Sequence, residues 1–153
     1  MKVTRKKTVM LIALAVVIAV FAFAENLIFE GWSFWGGVQA VAKGNTVTLN
    51  GRVNTGGYVT EYLSPNIKGK TVTLEIRNAG NSRFSEGRLM KITVNKNDRL
   101  VRPANIPNLV NGEYIPSNVT RVEFTLPNDF DGKLGFVFYQ ADLKDLNITA
   151  TYR

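Results

Sequence analysis

The sequence contains no cysteine and no histidine. Their absence excludes Ser-His-Asp and Cys-His catalysis, thiol redox chemistry, the usual zinc sites, disulfide bonds and attachment of a lipid to a cysteine. No phosphate-binding glycine loop occurs either, because Gly56-Gly57 is followed by Tyr58 and not by a Lys-Ser/Thr pair that opens a helix. An enzyme with this sequence would have to use carboxylates, so an enzyme is the less favoured class of protein.

Residues 1–24 have the layout of a secretory signal peptide. Basic residues within the first seven positions precede an unbroken apolar run from Val9 to Ala24, which ends in the small-x-small motif Ala22-Phe23-Ala24. The alternative is a retained membrane anchor, but this run is shorter than the roughly 20 residues that span a bilayer. We therefore predict a signal peptide (1–24) and one domain (25–153) that is secreted or held at the cell surface, with no stable membrane insertion after cleavage.

The charge balance argues against a nucleic-acid partner. The formal net charge is +7, but the predicted signal peptide carries four positive and no negative charges, which leaves +3 for the domain. Nucleic-acid binding needs a basic stripe. The densest basic stretch, Arg83 to Arg102, is interrupted by Glu86 and Asp98, and its members alternate between the two faces of predicted strands. We interpret this stretch as a solvated sheet face and expect no nucleic-acid binding.

The domain is dominated by alternation of apolar and polar residues with a period of two, which is typical of β-strands. In Thr71 to Arg77, for example, Val72, Leu74 and Ile76 share one face. The same parity recurs in Arg121 to Leu126.

Turn signals such as Lys43-Gly44-Asn45, Gly56-Gly57 and Asp131-Gly132 separate the predicted strands, and no later window has a helical period over ten residues. Eight to ten short strands in one domain predict an all-β fold, a two-sheet antiparallel β-sandwich with jelly-roll topology.

Aromatic residues divide into core and candidate binding residues. Phe124, Phe136 and Phe138 occupy inward strand positions and are predicted to be core, as is Phe29. Tyrosine and tryptophan combine a flat apolar face with a polar tip, which suits stacking on the C–H patches of a sugar ring. The candidates for such a platform are Trp32, Trp35, Tyr58, Tyr62, Tyr114 and Tyr139.

The strand pattern gives some of these aromatic residues a direction. Tyr58, Thr60 and Tyr62 share one face of their strand, which is too polar for an obvious core and too aromatic for an ordinary solvated surface. Tyr139 points away from the core if Phe138 points inward. One of Trp32 and Trp35 is expected in the core, and the pattern leaves open which one. The polar side chains expected beside these rings are Arg52, Asn54, Glu61 and Gln140.

Short motifs at both ends and in the middle of the domain resemble those of a known family. These are Asn26 to Gly31 followed by Trp32 and Trp35, the run Tyr62 to Leu74, and the closing run Ala141 to Ile148. In these motifs the domain resembles the β-sandwich carbohydrate-binding modules of families four, nine and twenty-two. The resemblance implies a jelly-roll domain that binds β-glucans, xylans or related polysaccharides and oligosaccharides by aromatic stacking and polar contacts.

The same resemblance implies a structural calcium that joins the two chain ends. The family's ligands match Glu30 and Asp145 here, and hard oxygen ligands suit calcium. Lys144 departs from the family, which often has a first aspartate at that position, and it brings a positive charge near the expected site.

Three functional hypotheses follow. The first is a secreted non-catalytic protein that binds a polysaccharide. The second is a surface or matrix protein that uses the sandwich for protein–protein contact. The third is a glycoside hydrolase or lyase on a jelly roll, which needs two carboxylates roughly 5–9.5 Å apart in a groove. The sequence indicates neither the sugar nor the oligomeric state.

Overall fold

The computed structural model describes residues 24–28, 30–54, 56–63 and 65–153, with the backbone alone for 30–35, 58–62 and 65. This part of the chain is built from strands and three 3-10 turns, Pro65–Ile67, Ala79–Asn81 and Ser85–Gly87. The strands are β1 (Glu25–Asn26), β2 (Glu30–Trp35), β3 (Gln39–Lys43), β4 (Thr46–Val53), β5 (Gly57–Tyr62), β6 (Thr71–Arg77), β7 (Arg83–Phe84), β8 (Arg88–Val94), β9 (Arg99–Leu100), β10 (Ile115–Pro116), β11 (Arg121–Thr125), β12 (Lys133–Phe138) and β13 (Ala141–Tyr152).

The strands form two antiparallel sheets. Sheet 1 has the order β11-β6-β13-β4-β3, with β1 and β7 also paired to β13, and sheet 2 has the order β10-β8-β12-β5-β2, with β9 paired to β8. From β4 onward the long strands alternate between the sheets, as they do in a jelly roll. The predicted fold class, an all-β two-sheet sandwich, is confirmed.

The core forms where the inward faces of the two sheets meet, because the period-two pattern puts apolar side chains on one face of each strand. Val72, Leu74 and Ile76 are buried as predicted. Phe124, Phe136 and Phe138 are also buried, so they are core residues as predicted, whereas Phe29 lies outside the described residues.

The first described strand begins at Glu25, directly after the predicted cleavage site. In β1, Glu25 pairs with Tyr152 near the end of β13, and the Tyr152 hydroxyl donates a 2.7 Å hydrogen bond to the Glu25 carboxylate. Cleavage after Ala24 would therefore leave every described strand intact.

One end of the sandwich brings several connections together, and we call it the cleft end. It contains the β2–β3 turn (36–38), the β4–β5 connection (54–56), the segment 82–88 around β7 and the β12–β13 turn (139–140). A Cβ on Gly36 would meet the backbone of Gly56 and Gly57, which shows how closely the first two connections approach. None of the helical segments in the described part has the length and apolar character needed to cross a membrane.

Candidate functional site

A cleft of about 480 Å³ opens at the cleft end. Its floor includes the buried side chains of Val53 and Ala141, and the half-buried ring of Phe84 forms an apolar part of its wall. The polar side chains that line it are Arg52, Asn54, Arg83, Ser85, Gln140 and Asp142. The cleft therefore offers hydrogen-bond donors and acceptors beside an apolar ring.

Strand register explains why the charged side chains lie on the outer surface of sheet 1. Ala141 of β13 faces Val53 of β4 on one side and Phe84 of β7 on the other, and these residues turn towards the interior. Because successive side chains alternate, the next row faces outward. In that row Asp142 lies between Arg52 on β4 and Arg83 on β7.

Two hydrogen bonds join the β12–β13 turn to the segment that follows β7. The Ser85 hydroxyl donates to Oε1 of Gln140 at 3.3 Å, and the Ser85 amide donates to the Gln140 carbonyl at 3.2 Å. Gln140 has a φ of +48°, so it adopts the left-handed conformation that few non-glycine residues occupy. The exposed Gln140 side chain is thereby held at the rim of the cleft.

An arginine between two tyrosines lies next to this rim. The guanidinium carbon of Arg88 is 4.5 Å from the ring centroid of Tyr139 and 5.5 Å from that of Tyr114. Its Nε donates to the Ser85 carbonyl at 3.3 Å, and one terminal nitrogen lies 3.4 Å from the carboxylate of Glu86. Arg88 is only 8% exposed, so it is a structural element and not a solvated charge.

This arrangement corrects two expectations from the sequence. The basic stretch Arg83 to Arg102 is not a uniform solvated face, because Arg88 is buried under aromatic rings and Arg83 lines the cleft. Tyr114 is only 9% exposed and supports Arg88, so it does not form an open platform for a sugar. Burial raises the pKa of Tyr114 above its ordinary value, Glu113 adds to the increase and Arg88 opposes it.

Four other predicted site residues lie at the cleft end. Arg52, Asn54 and Gln140 line the cleft. Tyr139 precedes Gln140 and is partly exposed, whereas Phe138 is buried, so the predicted outward direction of Tyr139 is confirmed.

The remaining candidates lie on β2 and β5 of sheet 2, where the structure describes the backbone alone. Trp35 lies opposite Tyr58, which lies opposite Val137, which in turn lies opposite Lys91, so one row crosses four strands. Tyr62 lies opposite Lys133, Glu61 lies opposite Leu134, and Trp32 falls at the register shift in β2 between Glu30 and Ser33. The roles of these side chains in binding stay predictions.

The two predicted calcium ligands belong to different sheets. Glu30 lies in β2 of sheet 2, and its side chain is outside the described part. Asp145 lies at a register shift of β13 in sheet 1, where its amide donates to Oδ1 of Asn50 at 3.0 Å. Among the described side chains, no group of three or more acidic residues lies together. The described donors therefore give calcium no additional support, and it stays a prediction.

Sequence reasoning missed the segment Arg83-Phe84-Ser85 and the role of Asp142 in the cleft. The segment forms a two-residue strand followed by a 3-10 turn, and Glu86 and Gly87 within that turn both have positive φ. Such a short element has too few residues for a period to show. The available signal was the pattern of β13, in which Asp142 is the outward neighbour of the inward Ala141 and Leu143.

No protein-family model matches the chain, and no curated protein matches it. Two solved structures are similar to it. One is the C-terminal family 22 carbohydrate-binding module of Clostridium thermocellum Xyn10B, with 15% identity, a TM-score of 0.40, and coverage of 83% of this chain and 89% of that one. The other is a xylan-binding domain of carbohydrate-binding module family 22, with 14% identity, a TM-score of 0.36 and the same two coverages. Both belong to family twenty-two, one of the three families whose motifs the sequence resembles.

Proposed function

We propose that the protein is a secreted, non-catalytic carbohydrate-binding protein that holds a polysaccharide or oligosaccharide at the cleft end. The observation that carries this proposal is the polar cleft beside Phe84 and its continuity, through Gln140, with the ring of Tyr139. Sugar sites combine these same two elements, which are an aromatic face for C–H groups and convergent polar groups for hydroxyls.

The cleft side chains suit the chemistry of sugar hydroxyls. Each guanidinium has five N–H donors, each of the amides of Asn54 and Gln140 has donors and an acceptor, and the carboxylate of Asp142 accepts only. A hydroxyl group both donates and accepts, so this mixed set can pair with several hydroxyls of one ring. The Arg88 contact and the Ser85–Gln140 bonds hold the rim in place before a ligand arrives, which lowers the entropy lost on binding.

A longer ligand would continue over the outer face of sheet 2. The row Trp35–Tyr58–Val137–Lys91 runs across that sheet near the cleft end, and Tyr139 follows two residues after Val137. Aromatic side chains along this row would stack on successive sugars of a β-glucan or xylan chain. This extension is a proposal about the residues of β2 and β5, and it predicts that affinity increases with the length of the oligosaccharide.

The rival hydrolase or lyase hypothesis needs a second carboxylate near Asp142. Among the described residues that line the cleft, Asp142 is the one with a carboxylate, which favours binding without catalysis. A reducing-sugar assay on the polysaccharides that the protein binds tests this part of the proposal. Release of reducing ends that disappears in Asp142→Asn would overturn it.

Affinity electrophoresis of the purified protein in gels that contain xylan, mixed-linkage β-glucan or pectin tests the binding itself, and calorimetry gives the affinities. We expect at least one polysaccharide to retard the protein. Replacing Tyr139 with Ala should weaken that binding about tenfold, because one stacked ring contributes on the order of 1 kcal/mol. Tyr152→Ala is the matched control, since Tyr152 is also partly exposed but lies near the end of β13 that is far from the cleft.

Absence of retardation by any glycan would overturn the proposal. If light scattering then showed oligomers that depend on concentration, the surface or matrix hypothesis would replace it. Equal losses in Tyr139→Ala and Tyr152→Ala would place the binding site somewhere other than the cleft end.

A further inference from the structure

Two arginines flank an aspartate across three neighbouring strands of the cleft. Arg52 on β4 and Arg83 on β7 both lie opposite Asp142 on β13. Adjacent strands are about 4.8 Å apart, so the backbones of the two arginines are about 10 Å apart on either side of β13. All three side chains line the cleft and are exposed. The row carries two positive charges and one negative charge.

The two guanidinium groups differ from most arginines of the described part in having no partner there. Neither Arg52 nor Arg83 forms an ion pair within 4 Å or a side-chain hydrogen bond with another described residue. The arginines that do pair with carboxylates are Arg77, Arg88, Arg99, Arg121 and Arg153. Asp142 lies between the two guanidinium groups without engaging either of them, so both forks remain available to a ligand.

The chemistry of a guanidinium fork selects planar anions. Its parallel N–H groups match the two oxygens of a carboxylate, and such bidentate pairs are among the strongest hydrogen bonds in proteins. Neutral sugars have no group that uses both N–H donors and the positive charge. Two unpaired forks in one cleft therefore recognise a carboxylate better than they recognise a hydroxyl.

We propose that the cleft is specific for acidic sugars, and that the carboxylate of a uronic acid binds between Arg52 and Arg83. This inference rests on the proposed carbohydrate-binding function and names the class of sugar. Asp142 would accept hydrogen bonds from hydroxyls of the same ring, and Phe84 would contact its apolar face. The lone carboxylate in the row keeps the site from binding every polyanion, because it repels densely charged ligands.

The test compares polysaccharides that differ only in their carboxylates. Glucuronoxylan and polygalacturonate are each paired with a carboxyl-reduced counterpart, and binding is measured by calorimetry at about 0.15 M salt, where long-range charge effects are screened. We expect the acidic form of at least one pair to bind about tenfold more tightly. Arg52→Gln and Arg83→Gln should each remove most of this preference. Arg102→Gln is the matched control, because Arg102 is exposed and lies near Leu100 and Thr125, away from the cleft.

Each alternative result has a distinct meaning. Equal binding of the acidic and reduced forms would overturn the inference but leave the proposed function intact. Failure of every polysaccharide to bind would overturn the proposed function and the inference with it. A preference that Arg102→Gln weakens as much as Arg52→Gln does would indicate attraction by net charge alone and would contradict the inference. Tighter binding of a sulfated galactan than of either uronate polymer would also contradict it. Thermal melts of all three variants show that they remain folded.

Discussion

The guanidinium of Arg88 lies over the ring of Tyr139, with 4.5 Å between the guanidinium carbon and the ring centroid. The same guanidinium donates to the carbonyl of Ser85, whose hydroxyl and amide bind Gln140. One buried cation thus connects the aromatic surface of sheet 2 with the rim of the cleft. The stability of the cleft end and the placement of the proposed sugar contacts both depend on it.

Replacing Arg88 with Met keeps much of the apolar volume but removes the cation–π contacts and the hydrogen bond to Ser85. We expect the free energy of unfolding to fall by about 2 kcal/mol, since a desolvated cation–π contact and a buried charged hydrogen bond each contribute on this scale. Denaturant unfolding measures the loss. In Arg121→Met, the control, the arginine is exposed and pairs with Glu123 at 3.5 Å, so the expected loss is under about 0.5 kcal/mol. Equal losses in the two variants would show that Arg88 has no special role.

Gly51 precedes Arg52, and its φ of +130° is one that side chains with a Cβ rarely adopt. A Cβ at this position would also collide with the carbonyl oxygen of Gly37. Gly51→Ala should therefore lower the free energy of unfolding by about 3 kcal/mol or more, because strain and a backbone clash combine. The β3–β4 turn supplies the control. Gly44 has a φ of +62° with open space around its Cβ position, and Gly44→Ala should cost only about 1 kcal/mol. Similar melting temperatures for the two variants would contradict this account of Gly51.

The Arg99–Asp129 pair makes stability depend on pH in the acid range. Arg99 donates to both carboxylate oxygens of Asp129, at 2.7 and 3.4 Å, and this hydrogen bonding lowers the pKa of Asp129 below its ordinary value of 3.8. A lowered pKa in the folded state means that the unfolded chain binds the proton more readily. The stabilisation is therefore fully present above pH 3.8 and is lost as the pH falls through the lowered folded value.

Asp129→Asn tests this dependence. The variant should melt slightly below the wild type at neutral pH, and the gap should close as the pH falls below 3.8. Melts that follow circular dichroism between neutral and acid pH measure the gap. Arg99→Gln should give the same curve, because it removes the other half of the pair. A gap that stays constant with pH would contradict the assignment.

Calcium binding has a similarly simple test. If Glu30 and Asp145 contribute to one site, calcium must raise the melting temperature, because a ligand that binds the folded state stabilises it by mass action. Asp145→Asn should then abolish the increase, and Asp142→Asn should leave it unchanged. An equal melting temperature with calcium and with a chelator would contradict the calcium prediction.

The sequence predicted the sandwich because long strands carry their own period. Val72, Leu74 and Ile76 share the buried face of β6, and Phe136 and Phe138 share that of β12, as alternation requires. Burial then follows from the cost of exposing apolar surface, which is a local property of each strand.

The candidate site was predictable only in part, because it depends on residues that break the period. Arg88 and Leu89 are consecutive and both buried, since the rings of Tyr114 and Tyr139 cover the arginine. Gln140 reaches the cleft through a left-handed backbone conformation that glutamine seldom adopts, so no propensity indicates it. The partnership of Arg83 with Asp142 comes from a two-residue strand, β7, which is too short to predict.

The central claim is that a sugar binds at the cleft end, and amide chemical-shift mapping by heteronuclear NMR tests it most directly. The purified protein is titrated with xylo-oligosaccharides, cello-oligosaccharides and oligogalacturonates. The account predicts that at least one of them shifts the amides of residues 52–54, 83–88 and 137–142, while those of the threonine-rich outer face of sheet 1, at residues 46–48 and 71–73, stay in place. Shifts confined to that threonine-rich face, or no shifts with any of the three series, would contradict it.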